Sequence, residues 1–140
     1  MRIRKLAAVG AALTATLVFA GPAQAGTATV YGCKSGEVCV YKKGNSGPSF
    51  STYGDWAPTS SSKYVTGNVI FNNGKRYPGF DHIRWEGHMG SDKYKGCLHY
   101  EETTTGMTHG SSVYSGSAIT FTKMIWGKEC GATEYGMQRR

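Results

Sequence analysis

After Val30, apolar and polar positions alternate over short stretches, and no run of ten or more residues repeats apolar positions at helical spacing. The β-favouring pattern falls on residues 38–42, 49–53, 64–71, 83–86, 97–101, 112–114 and 119–126. Asn73-Gly74, directly after a Val-Ile-Phe run, is a two-residue hairpin signal, because both residues tolerate positive φ. In 119–126, simple alternation puts Ile119, Phe121 and Lys123 on one face, and Met124-Ile125-Trp126 then breaks it. Late burial of the strand and a bulge would both produce that break.

The pattern is written twice. Cys33 and Cys39 bracket a Gly-containing segment, and Cys39-Val40-Tyr41 runs into the turn-rich Gly44-Asn45-Ser46-Gly47-Pro48. Cys97-Leu98-His99-Tyr100 is a weaker copy. Phe80-x-x-Ile83-x-Trp85 follows the first block and Phe121-x-x-Met124-x-Trp126 the second, at identical spacing. This predicts a small all-β protein, an antiparallel Greek-key β-sandwich of two related half-domains at about residues 30–87 and 88–131. Trp85 and Trp126 belong in its core. Trp56, beside Asp55 and Ala57-Pro58, reads as an exposed aromatic, and residues 131–140 as a frayed end.

Residues 1–25 read as a secretory signal peptide. Arg2, Arg4 and Lys5 precede an apolar run from Leu6 to Ala20, and Ala23-Gln24-Ala25 is a small-residue cleavage site. The expected product is a secreted, extracellular chain of about 115 residues beginning near Gly26, a single β domain spanning 26–140. Cleavage removes three of the sixteen Lys/Arg and none of the nine Asp/Glu, so the net charge falls from +7 to +4. The remaining basic residues are scattered pairs, not the concentrated footprint that nucleic acid demands. The expectation is a monomer with no nucleic-acid partner and no membrane contact after cleavage. In an oxidising compartment four cysteines make two disulfides; three connectivities are open, and Cys33–Cys39 with Cys97–Cys130 is the favoured one.

Catalytic signatures are missing from the sequence. It holds no Gly-x-Ser-x-Gly elbow and no His-Glu-x-x-His, and paired cysteines offer no thiolate. His82, His88, His99 and His109 lack ligand spacing, so neither zinc nor another metal or cofactor is expected. Asp81 and His82, as neighbours on a strand, would point to opposite faces and form no dyad. A non-enzymatic protein is the expectation.

Cys33-x-x-Gly36-x-x-Cys39-x-Tyr41 behind a signal peptide resembles the actinobacterial secreted metalloproteinase-inhibitor family. The match covers about 15 residues. It implies a βγ-crystallin-like fold of two Greek-key halves and a disulfide-stabilised inhibitor of a secreted protease. The crystallin calcium signature is absent, so the resemblance implies no calcium site. It points to Asp92, Lys93, Tyr94, Lys95 and Gly96, ahead of Cys97, as the inhibitory loop, with Tyr94 filling a specificity pocket between two lysines. The family has a cysteine where this chain has Asp92, so that loop is closed only on the Cys97 side. The segment 34–38, tied at both ends by Cys33 and Cys39, is the other loop suited to that task. A cationic antimicrobial or toxin, or a structural cell-surface module, are the alternative expectations.

Overall fold

A computed structural model describes residues 28–75, 77, 79–100 and 112–140. The segment expected to be a signal peptide and His109 lie outside them. Seven strands are present among the described residues: β1 (Glu37–Tyr41), β2 (Phe50–Thr52), β3 (Val65–Asn73), β4 (His82–Met89), β5 (Asp92–Leu98), β6 (Ser112–Gly127) and β7 (Gln138–Arg139). All pairings between them are antiparallel, within one sheet of order β2-β1-β3-β6-β4-β5-β7. The all-β antiparallel expectation holds. The residue 87/88 boundary, however, falls inside β4, which is continuously paired with β5.

One face of the sheet carries the core. Val38 and Val40 of β1, Ile70 of β3, Ile83 and Trp85 of β4, Leu98 of β5, and Ile119, Phe121 and Met124 of β6 form a single buried cluster. Flat strands about 4.8 Å apart would hold β3 and β5, which are three steps apart, far out of contact. Yet the Asn72 side-chain amide donates both to the Leu98 carbonyl at 3.2 Å and to the Asp81 carbonyl at 3.0 Å. The sheet therefore curls onto its own apolar face.

The two interruptions of β6 make this possible. The register with β4 runs Glu86↔Lys123 and then Gly87↔Phe121, so Thr122 is an extra residue. That bulge resolves the broken alternation at Met124: an odd spacing from Phe121 still leaves both side chains fully buried. It also turns Lys123 out to the opposite face, where its ammonium lies 3.5 Å from Glu86. Farther upstream, Gly67 pairs with Ile119 and Val69 with Tyr114, so residues 115–118 loop out opposite Asn68. The expected strands 112–114 and 119–126 are thus one element.

The two Phe-x-x-Ile/Met-x-Trp segments meet across adjacent strands. Ile83 pairs with Trp126 and Trp85 with Met124, a local two-fold arrangement. Their first positions differ: Phe121 is buried, whereas Phe80 precedes β4 and is 64% exposed. Trp56 is not the exposed aromatic expected. Its backbone exchanges two hydrogen bonds with Met124, its ring lies 5.1 Å from Phe50, and it packs on the core.

Asn73-Gly74 makes no hairpin. Both asparagine side chains of this region are spent on long-range ties: Asn72 as above, and Asn73 donating to the Ala28 and Cys33 carbonyls. Glycine is required at 74 because a Cβ there would meet the Trp126 ring at 2.6 Å. The tight hairpin lies instead between β4 and β5, where Met89 pairs with Asp92 around Gly90-Ser91. Gly90 has φ 58°, fitting the turn type that wants glycine first.

The C-terminal segment is docked, not frayed. β7 pairs with β5, the Cys97 N–H donates to the Glu134 carbonyl, and Arg140 reaches Glu86. At the crossing, a Cβ on Gly96 would lie 1.8 Å from the Gly136 carbonyl oxygen. Gly96→Ala should therefore destabilise the fold by about 1–3 kcal/mol or more, against almost nothing for Gly54→Ala in open space. Trp85→Ala, emptying the largest buried site, should cost about 3–5 kcal/mol by chemical denaturation.

Candidate functional site

Both disulfides favoured from sequence are formed, Cys33–Cys39 and Cys97–Cys130. Asp92, Lys93, Tyr94, Lys95 and Gly96, expected as an exposed loop, are the first five residues of strand β5. β4 holds one edge of the strand, and at Tyr94 and Lys95 β7 holds the other. Lys93 and Lys95 project into solvent, Tyr94 is half-buried against the core, and Gly96 is buried. The hairpin turn at Gly90-Ser91 starts the strand earlier than hydrophobicity alone suggests, because its outward positions are lysines.

The other disulfide encloses 34–38, and this loop faces inward too. Glu37 and Val38 are buried. The Glu37 carboxylate accepts from the Lys34 N–H at 2.9 Å, and the Gly36 N–H donates to the Asn73 carbonyl. Only Lys34 is fully presented. Cys33, Glu37 and Cys39 stand close enough together to hold a cation, but both sulfurs are bonded to each other and cannot serve as thiolates.

What lies outward beside this disulfide is a turn that sequence reasoning passed over. Val30 and Cys33 exchange hydrogen bonds at 2.9 and 2.8 Å around Tyr31 and Gly32. Both central residues have positive φ, 50° and 79°, as in a type I′ turn. Such turns favour Asn, Asp or Gly at both places. Tyr31 occupies the first and is 65% exposed, its ring edge-on to Phe71 at 6.1 Å. Beneath it, burial and the nearby Glu37 and Tyr31 push the Tyr41 phenol up to about 12. A Tyr-Gly pair directly ahead of a cysteine was the available signal.

The second disulfide gathers polar side chains. Asp81 and His82 do form a pair, contrary to the strand-neighbour argument, because Asp81 sits just before β4 and is not held to its alternation. Asp81 Oδ1 lies 2.6 Å from His82 Nδ1, and its Oδ2 accepts from the Tyr77 N–H at 3.1 Å. Glu129 Oε1 lies 3.2 Å from His82 Nε2 and 3.3 Å from His99 Nε2. Arg84 fixes the segment carrying Glu129, donating to the carbonyls of Lys128 and Glu129 and to Glu134. Cys130, next to Glu129, is bonded to Cys97, two residues before His99. His88 stands apart, its ring against the Gly90 carbonyl at 3.2 Å.

No family model, curated protein or solved structure matches the chain.

The Gly131 N–H and the Arg84 guanidinium hold the Glu134 carboxyl below its usual range. A carboxylate with a lowered folded pKa contributes stability above its unfolded value and loses it as pH falls through the folded one. The melting temperature of Glu134→Gln should lie below wild type near neutrality, and the gap should close below the ordinary carboxylate range.

Proposed function

We propose that this chain is exported and works outside the cell as a non-enzymatic, disulfide-braced peptidase inhibitor-like protein, related to the two-half secreted inhibitor family. Its partner on this reading is a secreted protease, and it acts as a monomer. The observation that carries the proposal is the Val30–Cys33 turn with Tyr31 at its tip. A left-handed backbone at a non-glycine residue costs on the order of 1–2 kcal/mol, and such strain concentrates at functional positions. The turn is tied to the Cys33–Cys39 disulfide, so docking would cost little ordering entropy. An exposed, preset tyrosine is also the side-chain type that dominates protein interfaces. Two paired disulfides suit the oxidising environment this role requires.

The family resemblance favours a different contact surface, Asp92 to Gly96, which as a paired strand would present Lys93 and Lys95 rather than a loop. The purified mature protein, assayed against secreted metallo-, serine and cysteine proteases, separates the two surfaces. Tyr31→Ser should weaken inhibition about tenfold or more with little change in melting temperature. Replacing Lys93, Tyr94 and Lys95 by Gly-Ser-Gly should leave inhibition intact if the turn is the contact. The reverse outcome assigns the contact to β5, and a parent that inhibits none of the proteases sinks the inhibitor reading.

A further inference from the structure

We propose that His82, His99 and Glu129 form a binding site for one divalent cation of the zinc class, with Asp81 as the positioning residue behind it. The three donors come from the start of β4 and from the segments after β5 and β6, so no local motif announces them. Their donor atoms lie within 4.8 Å of one another. Ligand atoms 2.0–2.1 Å from a tetrahedral ion stand roughly 3.3–3.4 Å apart. The separations from Glu129 Oε1 to the two Nε2 atoms are 3.2 and 3.3 Å.

A second observation is independent of that spacing. His82 is fully buried, and its Nε2 has no hydrogen-bond partner of acceptable geometry. Asp81, accepting at Nδ1, places the ring proton there and leaves a lone pair on Nε2. In the neutral ring that lone pair stands 3.2 Å from an oxygen of the solvent-exposed Glu129 carboxylate, two acceptors turned toward each other. A cation between them removes the conflict, and carboxylate–imidazole–metal is the usual second-sphere arrangement. His99 repeats the logic: its Nδ1 is engaged by the Tyr100 carbonyl while its Nε2 faces Glu129.

Access and rigidity also fit. The Glu129 side chain is 70% exposed and that of His99 35%, so an ion enters from solvent on one side. Arg84 and the Cys97–Cys130 bond fix the segment that carries Glu129. Two imidazoles and one carboxylate suit zinc, nickel or copper rather than calcium or magnesium. Three protein donors leave the fourth tetrahedral position for water.

The test uses the untagged, disulfide-linked mature chain, stripped with EDTA and titrated with Zn²⁺ by calorimetry near neutral pH. One ion per chain is expected, with Ca²⁺ giving no heat. His82 is enclosed and its replacement could unfold the protein, so the variants are the partly exposed His99→Gln and Glu129→Gln. Each should weaken Zn²⁺ binding at least about tenfold, and Asp81→Asn about 10–100-fold. His88→Gln, outside the cluster, should bind as wild type does. Circular dichroism and melting temperature of the metal-free variants confirm that each is folded. Absence of stoichiometric binding by the parent overturns the site, as does wild-type affinity in both folded His99→Gln and Glu129→Gln.

Discussion

A single sheet without a helix to cover it can bury an apolar face only by curling that face onto itself. This constraint governs the protein, since no α-helix occurs among the described residues. Curling demands places where strands can bend and places where backbones can approach closely. The Thr122 bulge and the 115–118 excursion supply the first, both on β6, the strand shared by the two sides of the sheet. Glycines at 74 and 96 supply the second, beneath Trp126 and Gly136. Asn72 then bridges β3 to β5 across the closed face, where water could not satisfy its amide.

A curled sheet leaves its strand ends as the weak points, and that is where the covalent ties fall. Cys33–Cys39 pins the segment leading into β1, and Cys97–Cys130 pins the segment leaving β6 to the end of β5. Cross-linking the longer stretch removes more freedom from the unfolded chain, on the order of 3–4 kcal/mol in the entropic account. The C-terminal segment adds a noncovalent tie of the same kind. It covers the outer edge of β5, a paired edge being less open to aggregation than a bare one.

The sequence was legible where burial and period coincide. Val38, Val40, Ile70, Ile83 and Trp85 lie on the face that alternation assigns, and the cysteine spacing led to the observed pairing. It misled where a side chain serves a partner far along the chain. Asn73-Gly74 carries turn chemistry, yet its asparagine holds the N-terminal segment and its glycine makes room for a tryptophan. β5 was placed too late because Lys93 and Lys95 hide its first half, and the family resemblance made the same residues an expected loop. Of the polar cluster, Asp81-His82 was dismissed by an alternation rule that does not reach the residue before a strand, and His82 and His99 were set aside as ligands for want of local spacing. His99 and Glu129 join it where the second disulfide brings the ends of β5 and β6 together, a convergence that local ligand spacing does not display.

The chemistry follows the same mechanical logic. A sheet interior committed to apolar packing has little room for polar groups that convey function, so these collect where strands enter and leave. At such ends the backbone is ordinarily loose, and loose groups bind weakly because ordering them costs free energy. Each disulfide removes that looseness at one end. One holds a strained tyrosine turn facing outward, and the other holds a carboxylate against two imidazoles, one of them wholly buried. A small β protein thereby gains two preset polar surfaces at its strand ends, outside its valine, isoleucine and phenylalanine cluster.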